Sequence, residues 1–143
     1  MIQVPYVKLH VDAVEPTYAT EGAGCFDLYA LDDIIVPARS YTEVNLQLAF
    51  EVPADYVMEI YSRSGHGFNY QTRLANCVGL IDADYRGPLK VSLRNDGDQT
   101  LEIPKGKACC QGKLAPRNKA SFAEVPQLSE TERGYGGFGS TDA

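Results

Sequence analysis

Hydrophobic positions recur with a period of two along much of this chain. Val44, Leu46, Leu48, Phe50 and Val52 alternate with Asn45, Gln47, Ala49 and Glu51. Leu89, Val91 and Leu93 alternate with Lys90, Ser92 and Arg94, and Val7, Leu9 and Val11 with Lys8 and His10. This period points one face of each segment inward and predicts half-buried antiparallel strands. Helical spacing nowhere persists beyond about three turns, although a short helix can follow Arg63-Ser64-Gly65. Turn signals punctuate the strands at Glu21-Gly22, Val36-Pro37, Val52-Pro53-Ala54-Asp55, Arg86-Gly87-Pro88, Asn95-Asp96-Gly97-Asp98 and Pro104-Lys105-Gly106-Lys107. Many short strands between Gly, Pro, Asn and Asp turns predict an all-β, jelly-roll-like barrel or sandwich. The β core is expected over residues 1–125. A polar connector and a flexible glycine-rich C-terminal arm follow over 126–143.

Composition narrows this picture in three ways. At 143 residues the chain is one domain, large enough to bury a core without disulfides or metal. No apolar run approaches the ~18 residues of a membrane span. The first residues lack the basic and apolar regions of a signal peptide, so an intracellular protein, in the cytoplasm or nucleus, is expected. The net charge of −6 disfavours direct nucleic-acid binding. Arg63, Arg86, Arg94 and Arg133 are the candidates for a local basic site. Cys25, Cys77, Cys109 and Cys110 have neither zinc-site spacing nor a secretory context, and are expected as reduced, buried small hydrophobes. His10 is expected on the surface, and His66, between glycines, as a loop donor.

Four segments carry candidate chemistry. The tail from Arg133 to Thr141 combines four glycines, a guanidinium, Phe138 and the Ser140-Thr141 hydroxyls. Such a segment has little to bury. Its bare N–H groups, charge and stacking face suit an anionic, ring-bearing ligand, and the same composition suits a frayed terminus. Its formal G-x-G-x-x-G match lacks the strand and helix that a dinucleotide site needs. Tyr61-Ser62-Arg63-Ser64-Gly65-His66-Gly67 can hold phosphate oxygens through charge-assisted hydrogen bonds, or be an ordinary Ser-Gly turn. Gly79-Leu80-Ile81-Asp82-Ala83-Asp84-Tyr85-Arg86-Gly87 sets two carboxylates beside a Tyr and an Arg, or forms a plain acidic turn. Asp27, within the apolar strand Cys25 to Ala30, is a carboxylate that must be paired, hydrogen-bonded or metal-linked if buried.

Taken together and in order, these segments resemble the homotrimeric dUTPase family, across essentially the whole chain. Gly24 to Ala30 is similar to its A-G-x-D-L-x-A motif, and Ser62 to Gly67 to P-R-S-G-x-x. Gly79 to Gly87, with Asn76 ahead, is similar to G-x-I-D-x-D/G-Y-x-G. Gly106 to Gln111 partly keeps the fourth motif, and Arg133 to Thr141 matches R-G-x-x-G-F-G-S-T. Cys25 stands where the family usually has Gly, and Ser62 where it has Pro.

The resemblance implies a jelly roll assembled as a homotrimer with shared active sites, and Mg²⁺-dependent hydrolysis of dUTP to dUMP and diphosphate. Such an activity limits uracil incorporation into DNA and supplies dUMP for dTMP synthesis. It implies Asp82 as the catalytic group that activates water, and Tyr85 beneath the deoxyribose. Asn76 and the backbone near Gly79 would read uracil, while Arg63, Ser64, Gly65 and Gln111 would meet the phosphates. Asp27 would hold Mg²⁺ through water. In the arm, Phe138 and Gly139 would cover the base, and Arg133, Ser140 and Thr141 the γ-phosphate. Two other readings compete: a dCTP deaminase-like enzyme of the same superfamily, and a nucleotide-gated regulatory binding module on this fold.

Overall fold

A computed structural model describes residues 1–142. Eleven short strands and one helix follow in the order β1 (Tyr6–Lys8), β2 (Phe26–Tyr29), β3 (Ile34–Val36), β4 (Tyr41–Asn45), β5 (Leu48–Phe50), β6 (Tyr56–Tyr61), α1 (Ser64–Tyr70), β7 (Thr72–Leu74), β8 (Gly79–Ile81), β9 (Lys90–Asn95), β10 (Leu101–Ile103) and β11 (Ala108–Pro116). They pair as β2-β11-β6-β8, β4-β9-β7, β1-β5 and β3-β10, with every pairing antiparallel. This is the predicted all-β architecture, although the strands do not close into a barrel. The short helix begins at Ser64, inside the Ser-Gly segment rather than after it. No helix among the described residues is long and apolar enough to cross a membrane.

The alternation predicts burial better than it predicts strand continuity. Val44, Leu46, Leu48, Phe50 and Val52 all point into the core. The expected single strand is nevertheless broken between Asn45 and Leu48. Gln47 takes a left-handed φ of 54° there, and the Asn45 side-chain oxygen accepts a hydrogen bond from its N–H at 2.9 Å. The kink lets the chain change sheets, as corners of packed sheets require: β4 pairs with β9 and β5 with β1. Leu89, Val91 and Leu93 face inward as expected.

The first segment departs from expectation. Val7, Leu9 and Val11 are 56%, 49% and 88% exposed. Val4 and Tyr6 pack against the core instead, because Tyr6 lies opposite Phe50 in the β1-β5 register. A one-residue difference in phase turns the whole apolar set outward.

Cys109 and Cys110 are fully buried in the core, whereas Cys25 is half-buried and Cys77 exposed, so only two of the four behave as core hydrophobes. His10 is exposed, as expected. Regular structure ends with β11 at Pro116. The following chain runs largely in solvent, with Phe122, Val125 and Leu128 exposed.

Candidate active site

The long strand β11 builds the first cluster. Gln111 lies opposite Asp27 of β2 on one side and Tyr61 of β6 on the other. Directly opposed residues of antiparallel strands share a face, so the three side chains form a row across the sheet. Phe26 and Leu28 flank Asp27 and point inward, leaving its carboxylate on the opposite face and largely covered. The Arg63 guanidinium, two residues beyond β6, donates to Asp27 Oδ1 at 3.0 Å. The requirement that a buried carboxylate be paired is therefore met within the chain. The Gln111 amide donates to the Ser62 carbonyl at 2.8 Å. Ser62 also accepts from the Leu74 N–H through its hydroxyl, at 2.8 Å. An open cleft of about 450 Å³ is lined by Ser62, Arg63, Ser64, Gly67, Phe68 and Gln111. A Cβ at Gly65 would meet nothing within 4 Å. Arginine, hydroxyls and an amide on one open wall suit an anionic, oxygen-rich ligand.

A second cluster lies on the turn that carries the chain from β7 in one sheet to β8 in another. Asn76 and Gly79 line a cleft of about 600 Å³ with Asn45, Ile60, Leu80 and Lys90. The turn is tight: the Cys77 N–H bonds the Leu74 carbonyl, the Val78 N–H bonds that of Asn76, and Cys77 has φ 67°. Gly79 lets β8 lie close against β6, since a Cβ there would stand 3.1 Å from Ile60 Cβ.

The third cluster adjoins the second. Asp82 and Tyr85 line a cleft of about 200 Å³ with Leu80, Ile81, Pro88 and Lys90. Asp82 also borders a wider cavity of about 830 Å³ that contains Asp84, Arg86, Arg117 and Lys119. The turn after β8 fixes these groups. The Tyr85 N–H bonds the Asp82 carbonyl at 3.2 Å, and the Tyr85 hydroxyl donates to the Pro88 carbonyl at 2.8 Å. The ring folds across Gly87, where a Cβ would come within 2.7 Å of ring atom Cζ. Only glycine leaves space for that ring.

The arm forms the fourth group and stands apart. Its hydrogen bonds among the described residues are local turns: Gly136 N–H to the Arg133 carbonyl, Ser140 N–H to that of Gly137, and Arg133 Nε to the Gly136 carbonyl. Gly134 and Gly139 adopt φ 54° and 85°, and Phe138 φ 52°. The Phe138 ring is fully exposed, and Ser140 and Thr141 are exposed. Ala143 lies outside the described residues.

One chain therefore brings Asp27, Arg63, Ser64 and Gln111 together, and sets Asn76 and Gly79 beside Asp82 and Tyr85. It does not join these two groups in one cleft, nor either of them to Arg133, Phe138, Gly139, Ser140 and Thr141. Lys90, bordering both clefts beside β8, received no role from sequence. Its outward place in the Leu89-Val91-Leu93 alternation was the available signal. No group of three or more His, Cys, Asp or Glu side chains among the described residues could hold a metal. The Asp27 carboxylate, with Oδ1 engaged by Arg63, is a single acidic group that fits a hard cation bound largely through water, because magnesium retains most of its waters and takes few protein ligands.

An all-β chain with an arginine-hydroxyl cleft, a carboxylate-tyrosine turn and a glycine-rich arm defines a class of jelly-roll proteins equipped for phosphate-bearing ligands. Within that class, the dUTPase family profile matches residues 12–142. The chain is 36% identical over 140 residues to the deoxyuridine 5'-triphosphate nucleotidohydrolase of Helicobacter pylori strain J99, covering 98% of this chain and 97% of that one. It is 41% identical over 134 residues to the protein of the same name from Nautilia profundicola, covering 94% of each. It also resembles the Staphylococcus bacteriophage 80alpha dUTPase solved with dUPNHPP, at TM-score 0.88 and 21% identity over 100% of both chains. A dUTPase from phage phi11 of S. aureus, solved for the coordination of a structural Mg(II) ion, shares the fold at TM-score 0.78 and 17% identity, covering 89% of this chain and 99% of that one. The chain belongs to the dUTPase family.

Proposed function

We propose that this protein hydrolyses dUTP to dUMP and diphosphate inside the cell, in a homotrimer whose active sites are shared between subunits. The observation that carries this reading is the turn after β8. It holds the Asp82 carboxylate at the mouth of two clefts, with the Tyr85 ring pinned beside it over Gly87.

In this reading Asp82 orients a water and takes its proton as the water oxygen bonds the α-phosphorus. The bond from that phosphorus to the bridging oxygen breaks, and diphosphate leaves with the electron pair. Tyr85 packs under the deoxyribose and leaves no room for a 2'-hydroxyl. Asn76 and the backbone at Gly79 read the uracil edge. A site built for specific hydrogen bonds rejects bases that leave them unmade more strongly than apolar contact could. Arg63, Ser64, Gly65 and Gln111 bind the phosphate chain, where negative charge grows on the leaving group. Asp27 would hold Mg²⁺ through water, and the cation would supply further neutralisation of that charge. The arm closes Phe138 and Gly139 over the base and Arg133, Ser140 and Thr141 over the γ-phosphate, excluding bulk water. The separation of the two core clusters within one chain, and the arm's lack of contact with either, support a site completed by other copies.

Asp82→Asn tests the assignment. The amide keeps the size of the side chain but cannot accept the proton. Turnover is expected to fall by at least about 100-fold while dUTP still binds. Turnover within a few-fold of wild type would remove Asp82 from the role of base.

A further inference from the structure

We infer that Arg86 and Glu51 form a latch that holds the Asp82 turn in its working shape, making both positioning residues for hydrolysis. This inference rests on Asp82 being the base, as proposed above. Arg86 extends from the far end of the turn and folds back under it. Its Nη1 donates to the Ala83 carbonyl at 2.7 Å and to the Tyr85 carbonyl at 3.2 Å. These carbonyls flank Asp84 and belong to the segment between the two functional side chains. The other terminal nitrogen, Nη2, reaches Glu51 Oε1 at 3.3 Å. Glu51 directly follows β5, and its N–H is bonded to the Pro5 carbonyl, so it is anchored to a different part of the fold. One planar guanidinium thus ties the backbone of an irregular turn to the end of a strand.

The turn needs such a tie. β8 stops at Ile81 and β9 starts at Lys90. Leu89, at the end of this segment, is tied to Leu46 and Leu48 by backbone bonds, while from Asp82 to Pro88 the backbone is held by the Asp82–Tyr85 bond and by Tyr85 reaching Pro88. Both bonds act within the turn and neither fastens it to the rest of the molecule. The Arg86–Glu51 contact does. Arginine suits the task because its fixed fork can meet carbonyls and a carboxylate at once, whereas a lysine ammonium cannot match that geometry. Small displacements of a catalytic group carry large rate penalties, on the order of 100-fold for about 1 Å.

The test joins two readouts on the full-length protein. Arg86→Ala is expected to lower kcat for dUTP by about 10- to 100-fold with KM changed less than about threefold. Arg86→Lys should recover part of the loss. Glu51→Ala should act in the same direction, and should add nothing in the Arg86→Ala background, because the two residues act as one unit. Hydrogen exchange of the Tyr85 amide should quicken in both single variants while β9 amides keep their protection. If Arg86→Ala does not fold, Glu51→Ala carries both measurements. Unchanged Tyr85 exchange overturns the latch, as does a rise in KM at constant kcat, which would make Arg86 a substrate ligand. A wild-type protein inert toward dUTP would defeat the proposed function, and the exchange measurements would still decide whether the latch exists.

Discussion

His66 shows how a single side chain can record its surroundings as pH dependence. It lies half-buried in α1, and its Nδ1 is buried without a hydrogen-bond partner. Burial, and secondarily the Arg63 charge, push its pKa below the ordinary histidine value. The folded protein therefore resists a proton that the unfolded chain accepts. As pH falls below about 6.5, the unfolded state gains protons first and stability drops, until the folded-state pKa is passed. Urea unfolding at pH 7.5 and 5.5 checks this. Wild type should lose stability at the lower pH, and His66→Leu should lose less. Equal losses in both would contradict the assignment. The sequence placed His66 between two glycines and suggested a loop donor. It could not show burial, because α1 has no amphipathic stripe to read. Asp27 was more legible: one acid in an apolar strand demands a partner, and Arg63 supplies it.

Elements were legible where one face alone is buried, and less so where the chain turns a corner. The Val44-to-Val52 pattern gave the inward residues correctly and hid the break at Gln47, because a kink that spans two residues preserves the alternation. The Val7-Leu9-Val11 pattern is as regular, yet its register on β5 faces it outward. Pairing partners decide such cases, and they are remote in sequence. Asn95 illustrates another remote effect. It ends β9 fully buried and donates to the carbonyls of Val36 at 3.0 Å and Gln99 at 2.7 Å, while its oxygen accepts from the Gly97 N–H at 2.9 Å. From sequence it read only as the start of an Asn-Asp-Gly-Asp turn. In the fold it also fastens that turn to β3. Replacing it with Leu would remove the side-chain partners of two buried backbone groups, at Val36 and Gly97, and of a third at exposed Gln99, and unfolding free energy should fall by about 2–4 kcal/mol. Chemical denaturation measures this, and a change below about 0.5 kcal/mol would show that the turn does not depend on the side chain.

At the scale of the molecule, the chain carries its candidate motifs in separate places. The arginine cleft, the two clefts beside β8 and the arm are each well formed locally, and a single chain does not bring them together. Turn chemistry and motif order made each part readable from sequence. Their mutual placement was not readable, because the segments that carry them are remote in sequence and line separate clefts of the chain. The exposed apolar side chains Phe122, Val125 and Leu128, on the stretch between β11 and the arm, are consistent with a segment that packs elsewhere in an assembly. The central claim is selective hydrolysis of dUTP at such a site. It is tested most directly by measuring diphosphate release with Mg²⁺ from dUTP, dTTP, dCTP and UTP in parallel. Release from dUTP is expected at a kcat/KM at least about 100-fold above each of the others. Comparable release from UTP or dTTP, or none from dUTP, would contradict it.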